Sequence, residues 1–356
     1  MKRVARPYLS AVLFAVLVVL PGGLILCGCS STPDREGAFE RYKIKAENGD
    51  SVGQFQLGSC YANGEGVTKD DLEAVKWYRK AAEQGNVMAA NNLGVCYFRG
   101  LGVAQNYDEA IKWCRKAADQ GEAISQHNLG TFYSLRPHFP LGSSPTNLDE
   151  VEAVKWFRKA AEQGVAGAQF ELGKRYYKGV GVAKDEVEAV KWYRKAADLG
   201  NDMAQSVLGD SYYKGEGVTK DDLEAVKWYR KAADQGNAIA QYNLGLCYIK
   251  GAGVAKDDLE AVKWWRKAAD QGNPQAQLKM TAVFDTGLGV AKDEVEAYAY
   301  YILAGIRTEP GEAFVKRLSR GALLRGEQRA DVLRNEIAAR RSSKGVRDPW
   351  QTGRSE

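Results

Sequence analysis

Small and apolar residues fall four apart in one half of a recurring unit, and a different apolar face follows in the other half. Ala240, Leu244 and Tyr248 share one helical face, and the glycine beside the leucine (Gly245) makes a flat spot where a neighbour can approach closely. A double glycine such as Gly215-Glu216-Gly217 then stops the helix, because glycine enters the left-handed region without a Cβ penalty. Asp221-Asp222-Leu223-Glu224 opens a second helix, with Asp221 as cap and Glu224 completing a capping-box pattern. On that helix Ala225, Trp228 and Ala232 form an apolar face, while Lys227, Arg230 and Lys231 point elsewhere and are expected to solvate the outside. The unit is a helix–loop–helix.

It is repeated. The phrase Ala74-Val75-Lys76-Trp77-Tyr78-Arg79-Lys80-Ala81-Ala82 returns around Trp113, Trp156, Trp192, Trp228 and Trp264, at steps of 36, 43, 36, 36 and 36 residues. A fixed period in this range signifies a stacked solenoid. The expected units are 50–85, 86–121, 122–164, 165–200, 201–236, 237–272 and a worn copy, 273–308, with Met280-Thr281 for Leu-Gly and Tyr300 for Trp. Ala38, Tyr42 and Ala46, within 29–49, imitate a second helix without its first. Phe314, Leu318, Leu323, Leu324, Val332, Leu333 and Ile337, within 309–341, predict closing helices that cover the far end. Residues 342–356 are polar and read as a disordered tail.

The first 28 residues are of another kind. Lys2, Arg3 and Arg6 precede an apolar run from Leu9 to Leu20, too short for a membrane span and suited to an export signal. Leu26-Cys27-Gly28-Cys29 resembles the bacterial lipobox, which implies cleavage after Gly28 and lipidation of Cys29. A plain secretory signal is the competing reading. The lipobox resemblance, with Ser30 rather than Asp following, implies an exported, lipid-anchored protein in the outer membrane facing the periplasm. Of the formal net charge of +5, three charges lie in the signal, leaving +2, which makes no case for nucleic-acid binding. Cys60, Cys96 and Cys247 occupy one slot in three repeats, too far apart for disulfides, and with Cys114 read as buried thiols.

The pattern Ala-x-x-x-Leu-Gly-x-x-Tyr-x-x-Gly-x-Gly-Val, followed by Asp, Ala, Trp, Ala-Ala and Gly over 50–308, resembles the Sel-1-like repeat family, relatives of the tetratricopeptide repeats. That resemblance implies an all-α, right-handed superhelical solenoid. It also implies an adaptor that binds another envelope protein or peptide along a concave face lined by first helices. The residues two before and two after the leucine vary most: Phe55/Ser59, Asn91/Val95, His127/Thr131, Phe170/Lys174, Ser206/Asp210 and Tyr242/Leu246, with Tyr177, Tyr213 and Ile249 beside them. The candidate binding residues are Phe170, Lys174, Tyr177, Asp210, Tyr213, Tyr242, Leu246 and Ile249, with packing between repeats as the alternative reading. The insertion Leu135 to Asp149 in repeat three, stiffened by Pro137, Pro140 and Pro145, is equally a functional loop or a tolerated one.

Catalytic signals are poor. Ser211-Tyr212-Tyr213-Lys214 fits the Ser-x-x-Lys of penicillin-interacting enzymes, but its partner motifs are missing and its residues fall in repeat slots. A weak penicillin-binding or β-lactamase activity is the alternative function that this motif and some cysteine-rich relatives imply. Asp285-Thr286-Gly287 is explained by its turn glycine. His127 and His138 assemble no zinc-like ligand set, and neither a metal nor a cofactor is expected. Six of the eight tryptophans are the repeated residue and read as packing rather than as a base-stacking surface.

Overall fold

The computed structural model describes residues 35–136, 147–305 and 309–343. The signal segment with Cys29, most of the repeat-three insertion with His138, and the tail beyond 343 lie outside them. The described residues are helical throughout their regular elements and form two compact units, 1–185 and 186–356.

The first unit holds α1 (Arg35–Glu47), α2 (Ser51–Asn63), α3 (Asp71–Glu83), α4 (Val87–Arg99), α5 (Tyr107–Ala118), α6 (Ala123–Leu135), α7 (Asn147–Glu162) and α8 (Ala166–Lys178). The second holds α9 (Glu186–Asp198), α10 (Asp202–Lys214), α11 (Asp222–Asp234), α12 (Ala238–Lys250), α13 (Asp258–Asp270), α14 (Pro274–Thr286), α15 (Glu294–Ala304), α16 (Glu309–Lys316) and α17 (Arg320–Ser343). Within each unit consecutive helices pack on one another, the arrangement of a solenoid.

The two turn glycines have different tasks. Gly215 (φ 77°) ends α10 in the left-handed region and donates to the Ser211 carbonyl. Gly217 (φ 68°) lies against the backbone of the preceding second helix, where a Cβ would come within 2.1 Å of the Glu186 carbonyl oxygen. The glycine after the leucine meets the aromatic that follows the repeated tryptophan. A Cβ on Gly209 would stand 2.6 Å from Tyr229, and one on Gly245 would stand 2.5 Å from Trp265.

Capping departs from expectation in one half. Asp221 accepts from the amides of Leu223 and Glu224, both at 3.0 Å. The reciprocal bond of the box is replaced: the Asp221 amide donates to the Tyr212 carbonyl at 2.9 Å, and Glu224 binds Lys227 at 2.6 Å. The loop itself supplies an acceptor for the orphan amide, so the glutamate turns to the lysine one turn on.

The basic residues of the second helix also depart from a purely solvating role. Lys231 Nζ lies 4.0 Å from the centroid of the Trp228 ring. Arg230 donates to the Tyr248 hydroxyl of the next repeat at 2.6 Å, as Arg79 does to Tyr97 and Arg158 to Tyr176. Beneath this layer Ala225, Ala232, Ala240 and Leu244 are wholly buried. A glutamine staple adds to the stack: Gln241 donates to the Ala233 carbonyl of the previous repeat at 3.1 Å and accepts from Gln271 at 2.8 Å.

The ends are covered. Ala38, Phe39 and Ala46 of α1 are buried, and Phe39 meets Tyr61 edge-on at 5.6 Å. At the other end Phe314, Leu318, Leu333 and Ile337 are buried, while Leu324 and Val332 of α17 stand exposed, on the face of that helix turned from the core. Cys60, Cys96, Cys114 and Cys247 are all buried as thiols, and burial pushes the Cys96 thiol up to about 12. No helix among the described residues is long and apolar enough to cross a membrane.

Candidate interaction face

The variable slots of the first helices divide into two kinds. The slot two residues before the leucine is buried in four copies: Asn91, His127, Phe170 and Ser206 are each under 9% exposed. In the first unit the reason is visible. Asn91 Oδ1 accepts from Ser125 Oγ at 3.1 Å and Asn128 Nδ2 at 3.0 Å, both on the next first helix. His127 lies against Gly167 of α8. At Asn91 and His127 that slot packs repeat on repeat, and Phe170 is buried as well, so it is not part of an exposed aromatic patch. The slots two residues after the leucine (Lys174, Asp210, Leu246) and those near the helix end (Tyr177, Tyr213, Ile249) remain half-exposed.

In the first unit Lys174 binds Glu171 at 2.7 Å and lies 5.4 Å over the Phe170 ring, roofing it. Tyr177 has Lys184 Nζ 6.0 Å from its ring centroid.

In the second unit the candidate residues are more closely linked. The Tyr213 hydroxyl accepts from Lys250 Nζ at 2.9 Å, and its ring has Lys220 and Lys250 at 5.8 and 5.5 Å. Half-buried Tyr242 has its hydroxyl pKa pushed up by burial, with Lys250 pulling it down. Asp210 Oδ1 accepts from the Tyr229 hydroxyl at 2.6 Å and from Asn243 Nδ2 at 2.9 Å. Burial raises the Asp210 carboxyl above its ordinary range, and the bond from Tyr229 opposes the rise. Asp210 is therefore engaged inward, whereas Tyr213, Tyr242, Leu246 and Ile249 present half-exposed side chains. Lys220 and Lys250 belong to this group and were absent from the sequence-derived set. Their signal was available, since a lysine ends the first helix at 178, 214 and 250 and another precedes the cap aspartate at 69, 184, 220 and 256.

Ser211, the serine of the Ser-x-x-Lys string, is 4% exposed and donates to the Val207 carbonyl at 3.1 Å. Lys214 is exposed and lies 4.0 Å from Glu216. The serine hydroxyl is thus committed to its own helix, and nothing favours it as a nucleophile. No cluster of three potential metal-ligating side chains occurs among the described residues.

The Sel1 repeat model matches residues 51–86, 87–122, 123–165, 166–201, 202–237, 238–273 and 274–305, well over half the chain. The chain belongs to the Sel1 repeat family. Among solved structures, a Sel1 repeat protein from Oxalobacter formigenes is 31% identical, covering 87% of this chain and 86% of its own, with a TM-score of 0.65. A protective antigen of uropathogenic Escherichia coli, described as displaying an SLR fold, is 32% identical, covering 90% and 77%, with a TM-score of 0.51. No curated protein matches. Sel1 repeats are generally protein-interaction scaffolds, so the variable half-exposed positions of this array are where a protein partner is to be sought.

Proposed function

We propose that this Sel1 repeat chain is a non-catalytic scaffold, held in the bacterial cell envelope through Cys29, that binds a protein or peptide along its first helices. The observation that carries the binding half is the Tyr213–Lys250 pair with Tyr242, Leu246 and Ile249. These are half-exposed aromatic and aliphatic side chains in slots that the repeat leaves variable, not consumed by packing. In the first unit, taken by itself, Lys174 and Tyr177 are the half-exposed candidates. The envelope half rests on the lipobox-like Leu26-Cys27-Gly28-Cys29 and on the basic and apolar segment before it. A related chain being a protective antigen fits an exported protein.

Two experiments separate the halves. A photo-crosslinking residue at Tyr213 or Tyr242, compared with one at Lys227 on a second helix, should give a discrete partner adduct in cells only at the first two. Equal labelling at all three sites would remove the face assignment. Cys29→Ser should move the protein from the membrane fraction to the soluble one, and continued membrane retention would remove the anchor.

A further inference from the structure

Among the described residues of the first unit, His127 is the one titratable side chain sealed between two repeats with a ring nitrogen left over. It is 4% exposed, and its Nδ1 has no hydrogen-bond partner. Its ring stands 5.6 Å from that of Phe157 on α7. A Cβ on Gly167 of α8 would lie 3.3 Å from its Cε1, so the approach of α8 is close. We infer that the junction of α6 with α7 and α8 is an acid-labile joint, opened by protonation of His127. The inference is independent of the binding reading above.

Among the described residues of the helices packed around α6, Glu171 is the one charged group that acts on the imidazole. α7 brings Phe157, which has no charge to offer. α8 brings Glu171, whose carboxylate favours the protonated ring but is itself bound by Lys174 at 2.7 and 2.9 Å. From its own helix, Thr131 Oγ1 donates to the His127 carbonyl and not to the ring. A proton on this imidazole therefore enters a site where the neighbouring anion is already shared with a lysine.

Burial accordingly pushes the His127 pKa down from 6.5 to about 4, with Glu171 opposing. Well above pH 6.5 both the closed and the open junction hold a neutral ring, and pH has no effect through this group. Between pH 6.5 and 4 the open form takes up a proton that the closed form refuses. Opening then grows by up to about tenfold per pH unit, by about 80-fold across the window and about 300-fold between the plateaus on either side of it. Opening would displace α8, which carries Phe170, Lys174 and Tyr177.

The test uses the full chain with His138→Gln, so that His127 is its only imidazole. NMR of the Cε1–H signal should give a midpoint well below 5, and a midpoint near 6.5 would overturn the inference. Hydrogen exchange, corrected for intrinsic rate, should lose protection in 123–135 and 166–178 by about fortyfold from pH 6.5 to 4.5. Segments 222–234 and 238–250 should change far less. His127→Phe, with an aromatic in the slot that Phe170 fills one repeat later, should abolish the local acid response. The same loss in wild type and His127→Phe would equally overturn it. If the variant does not fold, the wild-type titration still decides.

Discussion

Arg230 Nη2 donates to the hydroxyl of Tyr248 at 2.6 Å, joining the second helix of one repeat to the first helix of the next. The last such pair lacks the bond: Arg266 lies 5.6 Å over Phe284, whose ring has no hydroxyl. Tyr248→Phe should therefore lower stability by about 1 kcal/mol, the worth of one hydrogen bond to a charged group at a partly wet site. Phe284→Tyr should raise it by a similar or smaller amount. Urea midpoints of the two variants check both signs, and a fall in each would show that Arg266 is not poised to donate.

Glycines with the same left-handed backbone should differ sharply in tolerance. Gly217→Ala places a Cβ 2.1 Å from the Glu186 carbonyl oxygen, whereas Gly236→Ala, at φ 94°, meets nothing within 4 Å. The first substitution should cost about 3 kcal/mol or more, and the second about 1 kcal/mol, the strain of the backbone alone. Thermal unfolding distinguishes them, and equal losses would refute the close approach.

The flat spot of the first helix makes a similar claim. Gly209→Ala would bring its Cβ to 2.6 Å from the Tyr229 ring, a contact that must be relieved by moving a buried aromatic. A loss of about 2 kcal/mol is expected. Tyr229→Leu alone should also destabilise, but combined with Gly209→Ala it should cost less than the sum. A double-mutant cycle measures that coupling, and strict additivity would count against the contact.

Asp210 supplies a pH dependence of opposite sign to that of His127. Its pKa in the fold is raised above 3.8, so its contribution is fully present at low pH and is lost as pH rises through the folded value. Asp210→Asn retains an oxygen for Tyr229 and Asn243 while removing the charge. It should therefore be neutral or slightly stabilising at pH 7 and should flatten this part of the pH–stability profile. A marked loss at pH 7, measured by urea unfolding, would show that the carboxylate is held by a favourable charge interaction.

Much of this architecture was legible in the chain. The 36-residue period, the Ala/Leu/Tyr face and the Asp cap each follow from local rules of helix geometry and termini, and the helices form at these places. The interaction face was legible only in part. Phe170 and Tyr242 hold the same slot in the repeat, yet one is buried and the other half-exposed. A helical wheel cannot separate them, because cover for such a slot depends on what packs over it, as Lys174 does over Phe170 and α8 over His127.

The amino-acid sequence by itself determined the helix–loop–helix unit and its sevenfold repetition, since hydrogen bonding and apolar periodicity act within about ten residues. Only tertiary structure decided what the repeated Lys and Arg do. Lys231 lies over Trp228, and Arg230 reaches Tyr248 eighteen residues on. The same holds for Asn91 and His127, polar residues turned inward against residues more than 30 positions away. Contacts of that separation depend on how one repeat is set against the next, and that placement arises only when the helices pack.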